Sequence, residues 1–395
     1  METLDANNWL LHFLVFAPLA GALLMMFIPQ DEEDTHKQLA LLASLVPLGL
    51  TAVLLFDFDY DNAGVLQYFT DTEWIEIIGA GYTMGIDGMS LPLVALTVLV
   101  MPLVFIYSWN HIPEPGNAKA FLILSLILET GMIGTFVAQD LILFFVFFEV
   151  VLLPMFFMIA VWGGPDRRYA SLKFFLFTLF GSALMLLSFL ALFFLTTDPA
   201  TGEHTFNMLV LSELAGSDIA RVTQIWVFAG MVIGFGVKVP LFQFHTWLPD
   251  AHTQAPTQGS VILAAVLLKL GTYGFIRISI PMLPEAAEVW APWIGLFAVI
   301  GIIYGALGCL AQTDMKRLIA FSSVAHMGFV MLGIATLTDF GINAAIFGMV
   351  AHGLITGMLF FIAGSVKERY HTLEIDRLGG MLVQAPRLGW ILGFV

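Results

Sequence analysis

Two lysines stand where a charge is least expected. The stretch 224–280 reads QIWVFAGMVIGFGVKVPLFQFHTWLPDAHTQAPTQGSVILAAVLLKLGTYGFIRISI. Lys238 and Lys269 each fall near the middle of an apolar run long enough to cross a bilayer. A charge at the bilayer centre costs on the order of 2.5–3.5 kcal/mol on insertion scales, so intramembrane ionisable residues are read first as functional. Glu149, in LILFFVFFEVVLLPMFF, lies at a similar depth on another run. Burial disfavours the charged form of an acid or a base, and an opposite charge nearby restores it. A buried Glu–Lys pair therefore titrates as a coupled unit. Moving the partners apart by a few ångströms changes how firmly the lysine holds its proton. These residue types suit a gated proton carrier, although a static ion pair between the fifth and seventh runs would use the same residues.

The histidines extend the pattern. His245 follows Lys238 by seven residues, which on a continuous helix is two turns along one face. His326 in SSVAHMG and His352 in MVAHGLI fall near the middle of two later runs. An imidazole can donate and accept a proton near neutral pH, and each of these also suits an interhelical hydrogen bond. Ser322, Ser323, Thr272 and Tyr273 could hold waters between them. Glu129 in LILETGMIG is a further intramembrane acid, suited to proton transfer or to helix pairing. Asp250 follows Pro249 in a turn and reads as a cap. Arg277 lies near the end of a run and reads as a snorkelling side chain.

The elements that must position these groups are membrane helices. The chain has 395 residues, 59% hydrophobic and 11% charged, against about 25% charged in soluble domains. Apolar runs are expected at 10–28, 38–56, 85–108, 119–137, 140–162, 170–195, 224–247, 255–280, 291–311, 317–337 and 341–366. The expected fold is an all-α polytopic membrane protein with about eleven complete transmembrane helices. LGWILGFV begins a twelfth, read here as truncated. The seventh run is expected to be broken, with Gly234, Gly236 and Pro240 around Lys238. Two parts are expected: 1–84, with the first two helices and an acidic loop, and 85–395, the main transmembrane domain.

Eleven of the 15 basic residues fall in one alternate set of loops and only Arg221 in the other. The positive-inside rule then turns the N-terminus and the acidic 57–87 loop away from the cytoplasm. Residues 1–8 carry Glu2 and Asp5 and lack the basic start of a cleavable signal. A faint internal repeat is present: Ala311 follows Ala138 by 173 residues, and Gly353 follows Gly181 by 172, in similar surroundings. The two copies run in opposite directions, as in transporters built from inverted repeats. The same offset puts the counterpart of Lys238 near position 410, past this chain.

Other chemistries are disfavoured. A net charge of −15 argues against nucleic acid as a partner. One cysteine, Cys309, gives neither a disulfide framework nor a thiolate cluster. There is no glycine-rich phosphate loop and no Ser-His-Asp arrangement, and the histidines are too dispersed for a metal site. No cofactor or metal is expected in this chain.

Four segments carry a resemblance: FFVFFEVVLLPMFF with Glu149, VKVPLFQFHTWLPDAHTQAPTQGSVILAAVLLKLGTYG with Lys238 and Lys269, AQTDMKRLIAFSSVAHMGFV with His326, and MVAHGLITGMLFFIAGSVKERYHT with His352. From the third run onward the chain resembles the antiporter-like proton-translocating subunits of respiratory complex I, NADH:quinone oxidoreductase, and most of all the subunit 4 (bacterial chain M) family. The resemblance implies 14 helices, of which 4–8 and 9–13 form inverted repeats and 7 and 12 are broken. It implies that Glu149 pairs with Lys238, that Lys269 is the central relay, and that His326 and His352 follow it. The family's terminal acid on helix 12 is not in this sequence.

The implied role is proton translocation coupled to electron transfer in other subunits, which hold FMN, iron–sulfur clusters and quinone. The implied partners are the lipid bilayer and other membrane-arm subunits, including neighbouring antiporter-like ones. The implied location is the bacterial inner membrane, with a periplasmic N-terminus. A subunit of a multi-subunit cation/proton antiporter or of a hydrogenase membrane arm is the alternative. A non-transporting membrane scaffold is a third reading.

Overall fold

A computed structural model describes residues 9–199 and 201–395. Segment 1–8, read above for a signal, lies outside the described residues. The chain forms α1 (Trp9–Met26), α2 (Glu33–Asp57), a hairpin of β1 (Gln67–Ile75) and β2 (Ala80–Ile86), α3 (Leu91–Ser108), α4 (Ala118–Val137), α5 (Leu141–Trp162) and α6 (Arg167–Leu195). The short α7 (Met208–Asp218) leads to α8 (Arg221–Lys238), and the short α9 (Trp247–Gln254) to α10 (Thr257–Met282). Then come α11 (Pro284–Leu310), α12 (Met315–Ala335), α13 (Asp339–Tyr370), α14 (Met381–Gln384) and α15 (Pro386–Phe394). Among the described residues, ten helices are long and apolar enough to cross a membrane: α1–α6 and α10–α13. The chain is an integral, multi-pass helical membrane protein. Lipid offers the backbone no hydrogen bonds, so each crossing must satisfy its own.

Local chemistry sets the helix ends. Asp140 accepts from the amides of Ile142 and Leu143 at the start of α5, Asp314 from Arg317 at α12, and Thr338 from Gly341 at α13. His371, in the left-handed region at φ 55°, ends α13. In α5 the regular pairing lapses at Val151, three residues before Pro154, whose ring supplies no amide proton.

The seventh expected span, 224–247, is not one helix. α8 stops at Lys238, the chain runs irregularly through 239–246, and α9 resumes at Trp247. Pro240 has no N–H for the next turn, so the Gly236 carbonyl accepts from Leu241 instead, at 2.9 Å. The Val237 carbonyl is taken by the indole Nε1 of Trp247, also at 2.9 Å. The break thus satisfies its freed carbonyls from nearby side chains and backbone.

The acidic loop contains an element that the sequence reading did not anticipate. Within 57–87 the strands β1 and β2 pair antiparallel around Gly79, which adopts φ 64°. The hairpin is tied down by Gly81 N–H to Asp140, by Gln139 N–H to the Thr83 carbonyl, and by Tyr82 OH to His12. It defines one face of the bundle. The basic connections meet on the opposite face. There Trp162 donates to the Gly116 carbonyl, Gly164 to Gln254, Met315 to Leu373, and Lys316 to Ala255.

α10 runs almost wholly buried through the bundle, against α3, α4, α8 and α13. It is also irregular: π-helical turns at Leu263–Leu267 and Phe275–Ser279 flank the segment that holds Lys269. Isolated π turns inside α-helices concentrate at functional sites. Two glycines bring α8 and α10 into backbone contact. A Cβ at Gly271 would lie 2.7 Å from the Phe235 carbonyl oxygen and 3.0 Å from Lys238 Cβ, and one at Gly274 would collide with the Phe235 ring.

This contact generates a stability prediction. Gly271→Leu forces the two lysine-bearing helices apart and should cost at least the 1–3 kcal/mol typical of overpacking. Gly49→Ala, at a helical site with open space around it, should be neutral or stabilising by up to about 1 kcal/mol. Thermal unfolding in detergent reads both, and equal effects at the two positions would refute the close contact.

Candidate functional site

Lys269 is fully enclosed, with no exposure. Its Nζ donates to the Ala264 carbonyl, five residues back in the first π turn, at 2.5 Å. It also lies 2.7 Å from Nδ1 of His352 on α13. The side chain thus reaches back toward the basic face, as helical side chains do. His352 is 5% exposed, and its Nε2 has no hydrogen-bond partner. The His326 ring lies 5.8 Å from the His352 ring, centroid to centroid. His326 itself is exposed at the side of the bundle. The two histidines border a lateral cleft of about 310 Å³ between α12 and α13, lined also by Phe329, Gly348 and Ile355.

Lys238 ends α8 and is 3% exposed. Its ammonium stands 4.7 Å from the centroid of the Phe148 ring, a cation–π contact beside Glu149. Glu149 is half-buried, and it and Lys238 are coulombic partners without a direct ion pair among the described residues. Gly271 packs against Lys238 Cβ, so the two lysines occupy facing helices in contact.

His245 departs from the sequence reading. The two-turn argument assumed an unbroken helix, but the helix ends at Lys238, so the two residues share no helical face. His245 lies instead in the irregular connection, stacked on Phe242 and edge-on to Tyr304. It is buried, and its Nδ1 has no partner. Asp250 does not cap: it forms a 2.7 Å ion pair with Lys173 of α6. Arg277 does not snorkel: it turns inward and pairs with Asp87 at 2.5 Å. Glu129 on α4 is fully buried, and neither carboxylate oxygen has a hydrogen-bond partner among the described residues. Ser322, Ser323, Thr272 and Tyr273 all donate to backbone carbonyls: Ile319 for the serines, then Lys269 and Phe136.

Two groups were missed. His252 is fully buried, stacks flat on Phe360 at 4.7 Å, and leaves both ring nitrogens without partners. It interacts electrostatically with Lys269 and with Lys316. Lys316, 2% exposed, donates to the Ala255 carbonyl at 2.6 Å. Lys316 is one of the eleven loop cations that set the orientation, and His252 stands two residues after Asp250 in the turn. The available signal was the second histidine in HTWLPDAH, seven residues after the first. The structure thus arranges Lys316, His252, Lys269, His352 and His326 from the basic face to the bundle interior and then sideways. No group of three His, Cys, Asp or Glu side chains suited to a metal ion occurs among the described residues.

Comparisons agree with this architecture. Residues 138–395 match the family described as NADH:quinone oxidoreductase/Mrp antiporter, TM, and residues 63–135 match NADH-ubiquinone oxidoreductase chain 4, amino terminus. The chain is 42% identical to NADH-quinone oxidoreductase subunit M of Rhodobacter capsulatus, over 98% of this chain and 75% of that one. It is 41% identical to an NAD(P)H-quinone oxidoreductase chain 4 of a Synechococcus strain, over 95% of this chain and 69% of that one. A chain of respiratory complex I from Thermus thermophilus superimposes with a TM-score of 0.85 at 29% identity, over 97% of this chain and 76% of that one. A chain of an archaeal membrane-bound sulfane sulfur reductase shares the fold, with a TM-score of 0.86 at 21% identity over 97% of this chain and 76% of that one.

The Lys269–His352 contact can be tested by a double-mutant cycle. His352→Met leaves the buried Lys269 amine without its cross-helix partner and should cost about 1–3 kcal/mol, whereas Lys269→Met removes the polar group and should cost far less or stabilise. The double variant should recover most of the loss. Additive costs in detergent melting would show that the two side chains do not interact.

Proposed function

The chain belongs to the family of NADH-quinone oxidoreductase M subunits, the antiporter-like subunits of complex I, and we propose that it moves protons through Glu149, Lys238, Lys269 and the histidines. The observation that carries the proposal is the Lys269 Nζ, held between Ala264 O and His352 Nδ1 in a fully buried, π-distorted helix. A purely structural helix pays dearly for such a group, so a working role is the default.

The steps follow from the geometry. With Glu149 close, the charged form of Lys238 is favoured. Lys238 ends a broken helix, so a small displacement of α8 changes its distance from Glu149 without unfolding a continuous span. On separation its proton passes toward Lys269, and from there to His352 and His326. His252 and Lys316 lie on the basic-face side of Lys269, where a proton would enter; His245 lines the break. Glu129 is a reserve acid on the neighbouring α4. A change in proton affinity of two pH units is worth roughly 2.7 kcal/mol, and moving a unit charge against 100 mV costs about 2.3 kcal/mol. The two magnitudes match.

Electron transfer is assigned to other subunits of the parent complex, together with FMN, iron–sulfur clusters and quinone. The lone Cys309 falls short of the four thiolates a cluster takes. The basic face is assigned to the cytoplasm and the hairpin face to the periplasm, in a bacterial inner membrane, on the strength of the Lys and Arg count. Neighbouring antiporter-like subunits are the expected partners.

NADH-driven proton uptake into vesicles tests the proposal. Lys238→Ala and Lys269→Ala should each lower the protons moved per electron while the complex stays assembled. Undiminished pumping in both would remove the central role assigned to the lysines.

A further inference from the structure

α10 carries a second charged network, on the hairpin side of Lys269, which the relay does not use. Lys269, Tyr273 and Arg277 follow one another at four-residue steps along the helix. Tyr273 is 1% exposed, and its hydroxyl donates to the Phe136 carbonyl of α4 at 2.8 Å. Arg277 Nε donates to the same hydroxyl at 3.0 Å, and its Nη2 donates to Asp87 Oδ2. The other Asp87 oxygen accepts from the amides of Met89 and Ser90, each at 3.0 Å. Asp87 is buried, follows β2 and precedes α3, so the network joins the hairpin's end to the core of the bundle.

We infer that Tyr273, Arg277 and Asp87 form a proton seal that closes the hairpin face of the Lys269 site. The inference deepens the reading above, since a relay that works against a gradient needs one end shut. Protons cross a hydrogen-bonded chain only where each member can both donate and accept. A guanidinium has five donors and no acceptor, and it stays protonated. A chain of groups or waters that reaches Arg277 therefore ends there, and the fixed positive charge repels an incoming proton, as arginines do in pores that exclude protons and cations. Asp87 supplies the counter-charge that keeps the guanidinium in place at this depth. The orientation of Lys269 fits: its ammonium turns away from this network, toward Ala264 O and His352.

The test is passive proton permeability of vesicles holding the assembled complex, under an imposed potential and without NADH. Arg277→Gln replaces a donor-only cation with a neutral group that donates and accepts, and should raise the leak about tenfold, equivalent to about 1.4 kcal/mol off the barrier. Arg277→Met removes the charge but supplies no group that both donates and accepts, and should leak far less than Arg277→Gln. Tyr273→Phe loosens the same network but keeps the guanidinium and its Asp87 counter-charge, and should also stay tight. If the glutamine variant does not assemble, Arg277→His, which likewise donates and accepts, is read in its place.

A tight membrane with Arg277→Gln, or with the histidine variant read in its place, overturns the seal, and so does a leak of similar size with Arg277→Met or Tyr273→Phe, which would indicate packing damage alone. The assay involves no turnover. A tight membrane with Arg277→Gln, alongside pumping defects at Lys238 and Lys269, would therefore refute only this inference, and a leak with Arg277→Gln alongside lysine variants that pump normally would refute only the relay.

Discussion

Everything in the bundle's centre follows from the need to give one buried amine its hydrogen-bond partners without water. Lys269 has no exposure, and the protein supplies the shell: a carbonyl from its own helix and an imidazole from another. A regular α-helix commits nearly every interior carbonyl to the amide four residues on. The π turn at Leu263–Leu267 relaxes that commitment where the lysine needs an acceptor. α13 must then approach closely enough to deliver His352. It does so at Gly353, where a Cβ would lie 2.8 Å from the Ala265 carbonyl oxygen. The irregular helix and the tight helix contact answer the same electrostatic demand.

The contact between α8 and α10 links the two lysines mechanically. Phe235 fills the space left by Gly271 and Gly274, and Lys238 follows Phe235 within a turn. Close-packed interiors transmit small displacements instead of absorbing them. A shift at the end of α8 is therefore felt at the backbone of α10, within one turn of Lys269. Glu149 sits on α5, near its own lapse in helical pairing at Val151. All three charged groups thus lie beside backbone irregularities, where a change of geometry is cheapest.

Much of this was legible in the sequence because lipid enforces it. The long apolar runs, the two lysines, Glu149 and the break before Pro240 all follow from one constraint, that a charge or a missing N–H at membrane depth is costly. What escaped depends on partners distant in sequence. Arg277 looked like a snorkelling residue because Asp87 lies 190 positions away. His245 was placed by a helical period that the break itself interrupts. His252 hid in a turn whose polarity suggested solvent, yet α13 covers it through Phe360. His326 and His352 looked alike in sequence, whereas one is exposed and the other buried. The hairpin was overlooked because its acidic residues read as a solvated loop. Its alternating QYFTDTEWI pattern was the unused signal.

The break after Lys238 has an electrical side as well as a mechanical one. Because α8 stops at this residue, Lys238 occupies the last turn of a helix, where the aligned peptide dipoles leave partial negative charge. A cation there gains about 0.3–1 kcal/mol in exposed sites and up to about 2 kcal/mol when partly buried. Lys269, inside the longer span of α10, has no such terminus beneath it. The two lysines, alike in type and depth, are therefore held by different fields. Straightening the break would withdraw the dipole from Lys238 and take no dipole from Lys269, so the fold contains a directional bias between the two sites before any partner acts on it.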